Sequence, residues 1–279
     1  MRSFFILYYI VLFCLCYSGL SAQDLKQSGS KPFVLGAITE IESIVLAEKR
    51  TLNIYFPEGY NSSDTIRYPV IYLLDGSADE DFIHIAGLVQ YSNFPWVNIL
   101  KPSIVVGIAN VDRRRDFTYP TSIEKDKKDF PTTGGSEKFI SFIERELLPF
   151  IEKNYKTNAS RTIIGQSLGG LLATEILFKK PSLFNNYIIV SPSLWWDNGS
   201  LLPKKSVTPE LDSAHKISVY IAVGKEGKVM IEGARHLAAI IKGMQKPLVK
   251  VSFEYFEKED HATIFHQAVY NGFKALNTK

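Results

Sequence analysis

Arg161-Thr162-Ile163-Ile164-Gly165-Gln166-Ser167-Leu168-Gly169-Gly170 is the stretch on which the fold turns. Arg161 to Ile164 is short and rich in β-branched side chains, as a strand is, and Leu168 to Lys179 reads as a helix stopped by Pro181. Between them lies a Gly-x-Ser-x-Gly sequence, Gly165 to Gly169. The bare pattern is weak, because chance produces it readily. A strand before it and a helix after it make it a nucleophile elbow. So sharp a turn strains the serine backbone, and its glycines let strand and helix approach without Cβ clashes. The competing reading is a glycine-rich turn with an incidental serine.

Working outward, Phe33 to Leu46 and Lys49 to Phe56 are extended and joined by Ala47-Glu48, which predicts a hairpin. Val70 to Leu74 and Ser103 to Ala109 are apolar runs of the kind that form fully buried strands. Glu137 to Lys153 has helical spacing, with Phe139, Phe142, Ile143, Leu147 and Phe150 on one side. Tyr187 to Val190, Ile217 to Val223 and Val249 to Phe256 are further strands. Ile231 to Met244 and His261 to Leu276 are helices. This order predicts an eight-stranded, mostly parallel α/β sheet with helices on both faces, opened by an antiparallel hairpin, and the elbow at Ser167 makes the expected fold an α/β-hydrolase fold. Sites in such sheets form at the carboxyl ends of the strands.

The chain has 279 residues. Met1-Arg2, an uncharged run from Phe4 to Tyr17, and Gly19-Leu20-Ser21-Ala22 read as a secretory signal peptide cut after Ala22. The expected organisation is a signal peptide over 1–22, a polar linker over 23–32 and one esterase-type domain over 33–279. The expected destination is the periplasm or the exterior, with no stable membrane insertion after cleavage. Both cysteines fall inside the peptide, so the mature chain has no disulfide, thiolate nucleophile or cysteine metal site. Without Arg2, 31 basic side chains face 29 acidic ones, too even a balance to argue for nucleic acid. No zinc-spaced His/Glu set and no phosphate loop appears, so neither metal nor organic cofactor is expected.

A serine nucleophile needs a base. Of the five histidines, His261 alone follows the last strand by a short turn, where chain order in this fold puts it. His84 precedes the elbow, His266 lies within the final helix, and His236 sits mid-helix among apolar residues in a packing role. The fifth is His215. The acid belongs after the seventh strand, where Ile217 to Val223 runs into Gly224-Lys225-Glu226. Glu226 leads, Glu232 comes second and Asp260 third, and the alternative for Glu226 is a solvated loop carboxylate. Oxyanion donors are expected from the N–H of Leu168 and from Gly76 or Ser77 after the third strand.

Several strings carry a resemblance: Tyr72-Leu73-Leu74-Asp75-Gly76 with Asp81-Phe82, and Arg113-Arg114-Arg115-Asp116-Phe117-Thr118 before Pro120. Gly165-Gln166-Ser167-Leu168-Gly169-Gly170, Ser191-Pro192-Ser193-Leu194-Trp195-Trp196 and Glu259-Asp260-His261 complete the set. Across the chain from Phe33 onward the sequence resembles the esterase-D-like branch of α/β-hydrolases. That branch includes enterochelin and salmochelin esterases, feruloyl esterases and S-formylglutathione hydrolase. The resemblance implies that Ser167 and His261 are catalytic. It leaves open whether Glu226 completes a triad or the pair works as a dyad. Tyr119 departs from the branch by standing between Thr118 and the proline.

Arg113, Arg114 and Arg115 follow the fourth strand on the substrate side. They could hold a carboxylate or catecholate oxygen, or one could pair with Asp112 or Asp116 and pin the loop. Trp195 and Trp196 could wall an aromatic acyl pocket or pack beneath their own loop. The function expected is hydrolysis of carboxylic esters through a Ser167 acyl-enzyme, acting on siderophore or polysaccharide-linked esters. The rivals are acyl transfer by the same superfamily and a non-catalytic exported binding protein.

Overall fold

Alternation within the apolar strands assigns successive side chains to opposite faces of one sheet. Along Val70–Leu74, Val70, Tyr72 and Leu74 join one core, while Ile71 and Leu73 join the other. Along Tyr220–Val223, Ile221 and Val223 face the first core and Tyr220 and Ala222 the second. A sheet buried on both faces needs helices on both, which is what parallel crossovers supply.

The computed structural model describes residues 25–63, 65–203 and 216–277. The signal-peptide expectation, both cysteines and His215 lie outside the described residues. The chain divides into a unit Met1–Val34, of which 25–34 carry no regular structure, and a unit Leu35–Lys279. The second unit holds β1 (Gly36–Ser43), β2 (Glu48–Tyr55), β3 (Tyr68–Leu73), β4 (Ile104–Ile108) and β5 (Thr157–Gln166). β6 (Asn186–Val190), β7 (Ile217–Gly224) and β8 (Val249–Phe256) complete the sheet. The spatial order is β1-β2-β4-β3-β5-β6-β7-β8. β1 pairs antiparallel with β2 and β2 antiparallel with β4, while all other pairings are parallel. The eight-stranded α/β-hydrolase sheet with its opening hairpin is thus observed. Among the described residues no helix is long and apolar enough to cross a membrane.

One face is covered by the helical stretch Ser136–Asn154 and by the helices Leu168–Lys179 and Lys228–Gly243, the other by Phe82–Asn93 and Ile264–Asn277. Ser136–Asn154 contains a π turn at Ile143–Leu147. Pro149 follows that turn, and its missing N–H and ring favour the wider winding. Helices that go beyond the sequence reading include Phe82–Asn93, Arg113–Phe117 and Glu124–Asp129. Phe82–Asn93 buries Phe82, Ile85, Ala86 and Val89 at helical spacing behind an N-cap Asp81, but the exposed apolar Ile83 and Tyr91 blur that stripe in the sequence. The closing helix begins at Ile264 rather than His261. Asp260 Oδ1 accepts from the N–H groups of Ala262 and Thr263, at 2.9 and 3.1 Å, and holds His261 in a turn ahead of it.

Candidate active site

Ser167 stands between β5 and the helix Leu168–Lys179 at φ 59°, ψ −118°, a conformation that costs a non-glycine residue energy. The turn is tight: a Cβ on Gly165 would lie 2.4 Å from Gly169 O. The Ser167 N–H donates to Val190 O at 3.1 Å, which ties the elbow to β6. Ser167 Oγ lies 3.2 Å from Ser193 Oγ, and among the described residues no hydrogen bond joins it to His261. Both residues nonetheless face one cavity of about 380 Å³, with Asp75, Glu80, Asp81 and Arg113 around them. Apo sites often hold such pairs loosely until substrate arrives.

Glu226 turns in just after β7, and its side chain is 3 % exposed. Oε1 accepts from the Ser191 hydroxyl and from Gly224 N–H at 2.9 Å, while Oε2 lies 2.5 Å from His261 Nδ1. Burial raises the pKa of this carboxyl, yet the bonds from His261, Ser191 and Gly224 hold it below its ordinary value. The Glu226 hydrogen bond raises the pKa of His261 against the opposing effect of burial. Gln166 Nε2 donates to His261 O at 2.5 Å, so the elbow also grips the histidine turn. Of the other acids, Glu232 lies 3.7 Å from Lys228 and Asp260 organises the turn. Among the histidines, His84 and His266 meet at 2.8 Å, and His236 is exposed rather than packed.

Three expectations need correction. Gly76 N–H donates to Ile108 O at 3.0 Å, which removes it from the oxyanion donors and leaves Ser77. Gly76 meets β4 so closely that a Cβ there would lie 2.3 Å from Gly107 Cα. Arg115 faces away from the cavity: it bonds Asp116 Oδ1 at 2.7 Å and both oxygens of Glu48 at 2.6 and 3.0 Å. Trp196 is 1 % exposed and donates its indole N–H to Tyr119 O at 2.9 Å, so it packs rather than lining a substrate wall. Tyr119 OH returns a bond to Trp196 O at 3.2 Å, which accommodates the extra residue before Pro120.

Trp195 is 37 % exposed and borders a neighbouring groove with Asn198 and His236. Arg113 reaches the Ser167 cavity, but its Nε and Nη2 are engaged by Asp75 at 2.6 and 2.9 Å. Asp75 itself stands at φ 56° and takes a third bond from Asn110 Nδ2 at 2.8 Å. Leu168 N–H opens the helix after the elbow and has no intrahelical partner. Among the described residues no group of three or more His, Cys, Asp or Glu side chains could hold a metal ion.

Ser191, Ser193, Gln166 and Asp81 were missed as site residues by the sequence reading. A usable signal existed for the two serines, because they follow an apolar strand at its carboxyl end, where sites form.

The family model described as "Putative esterase" matches residues 43–272. The ferri-bacillibactin esterase BesA of Bacillus subtilis is 31 % identical over 236 residues, covering 78 % of this chain and 81 % of that protein. The crystal structure of the BES protein from Bacillus cereus superposes with a TM-score of 0.79 at 28 % identity, covering 92 % of this chain and 100 % of that one. An IroE-like serine hydrolase from Shewanella oneidensis gives 0.75 at 28 % identity, covering 86 % and 79 %.

Proposed function

This chain belongs to the esterase family and is a carboxylic ester hydrolase; from that premise we propose that it is an exported serine esterase acting through an acyl-enzyme on Ser167. The observation that carries this reading is the 2.5 Å contact of His261 Nδ1 with Glu226 Oε2, at a cavity that Ser167 shares. With Nδ1 donating to the carboxylate, Nε2 keeps its lone pair and serves as base.

Ser167 Oγ attacks the ester carbonyl while His261 Nε2 takes its proton. The oxyanion is met by Leu168 N–H and by the Ser77 N–H. The imidazolium, stabilised by Glu226, then protonates the leaving alcohol as the tetrahedral intermediate collapses to the acyl-enzyme. Water, deprotonated by the same imidazole, attacks the acyl group and releases the acid.

Export rests on the leader-like sequence from Met1 to Ala22. The named relative acts on a siderophore, and a siderophore lactone is the substrate proposed here. Ser167→Ala is expected to abolish hydrolysis of a 4-nitrophenyl ester, with circular dichroism and melting behaviour retained, and to abolish labelling by a fluorophosphonate. Undiminished turnover in that variant would overturn the nucleophile assignment. Adding acceptor alcohols and finding new esters in place of acid would mark the protein as an acyltransferase instead.

A further inference from the structure

The cavity that holds Ser167 and His261 is rich in acid, and its arginine is already paired. Asp75, Glu80 and Asp81 face it beside Arg113. Arg113 grips Asp75 with two nitrogens, and its Nη2 also reaches Gln166 O at 3.3 Å. That bidentate pair cancels one charge of each sign. Among the described residues Glu80 and Asp81 have no ion-pair partner of their own, and Arg113 acts on them only through its longer-range charge. The hydrogen-bond partner of Glu80 is the neutral side-chain amide of Asn110, at 3.0 and 3.2 Å.

Asp81 precedes the helix Phe82–Asn93, where an aspartate ordinarily bonds the free N–H groups of the first turn. Here its side chain makes no cap bond and stands at the cavity instead. Burial, followed by the charges of Asp75 and Glu80, raises its pKa to about 6 against the lowering effect of Arg113. It is therefore mostly ionised at neutral pH. A substrate entering this cavity meets two carboxylates, while the one arginine of the lining is held by Asp75 and His261 acts as a base in its neutral form.

We infer that the site selects esters without negative charge near the scissile bond, with Glu80 and Asp81 as the residues that set this preference. The inference deepens the ester-hydrolase reading and rests on it. It also divides the proposed substrate class. A ferric tris-catecholate chelate carries a triple negative charge, whereas the same lactone with its catechols protonated and no iron is neutral. The metal-free lactone is the form this cavity accepts, in contrast to the ferric complex in the name of the Bacillus subtilis relative.

The test compares two 4-nitrophenyl esters of equal length, the neutral valerate and the anionic hydrogen glutarate, on the full chain. The expected kcat/KM ratio favours valerate by about tenfold or more at low salt, the scale of one close charge in a partly hydrated site. It should shrink in about 0.5 M NaCl, where the screening length falls to a few ångströms. Asp81→Asn and Glu80→Gln should each narrow the ratio about threefold and the double variant about tenfold. The metal-free and ferric forms of a tris-catecholate lactone should rank in the same order. If Asp81→Asn does not fold, Glu80→Gln and the salt series still decide. A wild-type ratio near one, or a ratio that neither salt nor substitution moves, overturns the inference. In that case valerate hydrolysis that disappears in Ser167→Ala leaves the hydrolase reading standing. No Ser167-dependent turnover of valerate removes both.

Discussion

Glu226 Oε2 and His261 Nδ1 lie 2.5 Å apart, and the carboxylate is held from behind by the Ser191 hydroxyl and the Gly224 N–H. The pH dependence follows from this contact. The Glu226 bond raises the pKa of His261, and the base works only when neutral, so kcat/KM should rise with pH through that raised value. Glu226→Gln removes the main cause. The midpoint should then move down toward the ordinary imidazole value while the plateau falls by about 10² to 10⁴. A midpoint that stays in place would separate Glu226 from the catalytic histidine.

The same shifts link folding to pH. His261, with its pKa raised, contributes stability below its unfolded value that is lost as pH rises through the folded value. Glu226, with its pKa lowered, contributes stability above its unfolded value that is lost as pH falls through the folded one. Melting temperature should therefore peak between the two, and the peak should flatten in Glu226→Gln.

Ser191 is fully buried at φ 43°, a backbone region that favours glycine. Ser191→Gly relieves that strain while removing one anchor of Glu226. The two effects on stability, each about 1 kcal/mol and opposite in sign, should nearly cancel. Activity should not be spared: kcat is expected to fall about tenfold with KM little changed, because the carboxylate regains a rotamer that leaves His261. Equal kcat in the two proteins would show that Gly224 holds Glu226 unaided.

Ser167 presents the same conflict at the elbow. Its φ of 59° with ψ of −118° costs about 1–3 kcal/mol in a non-glycine residue. Ser167→Gly should raise the melting temperature by a few degrees and remove turnover, measured by calorimetry and ester assay. A drop in melting temperature would mean that the bond to Ser193 Oγ outweighs the strain.

The sheet was legible because its strands are apolar runs and the elbow is local in sequence. Val70–Leu74 and Ser103–Ala109 needed no tertiary information, whereas the apolar stripe of Phe82–Asn93 is blurred by the exposed Ile83 and Tyr91. The candidate site was legible only as far as chain order reaches: that order predicts Ser167, His261 and Glu226, of which the last two meet at 2.5 Å. It was illegible where register decides. Gly76 loses its N–H because Ile108 ends β4 beside it, and Arg115 turns away because Glu48 reaches it from 67 residues earlier. Trp195 and Trp196 are chemically identical neighbours, and the Tyr119 carbonyl determines which of them is buried.

Arg113 tests whether that loop binds substrate or supports the site. Its two bonds to Asp75 hold a residue at φ 56°, two positions before the proposed donor Ser77. Arg113→Met should lower kcat by about 10- to 100-fold through a displaced donor. A rise in KM confined to anionic esters, with kcat intact, would instead make Arg113 a substrate anchor.

The arginine of β2 makes the separate case of a buried charge. Arg50 is fully buried, 2.8 Å from both Glu48 Oε1 and Asp116 Oδ2, with Phe139 and Phe142 flanking its guanidinium at 5.0 and 5.8 Å. Its Nε and Nη2 have no hydrogen-bond partner among the described residues. Such a pair need not stabilise the fold relative to an apolar replacement, yet breaking it leaves Asp116 buried with half its partners. Arg50→Met should therefore cost about 3 kcal/mol in urea unfolding, and adding Asp116→Leu should recover most of that loss. A double variant no more stable than the single one would assign the cost to lost packing against the two phenylalanines rather than to the stranded carboxylate.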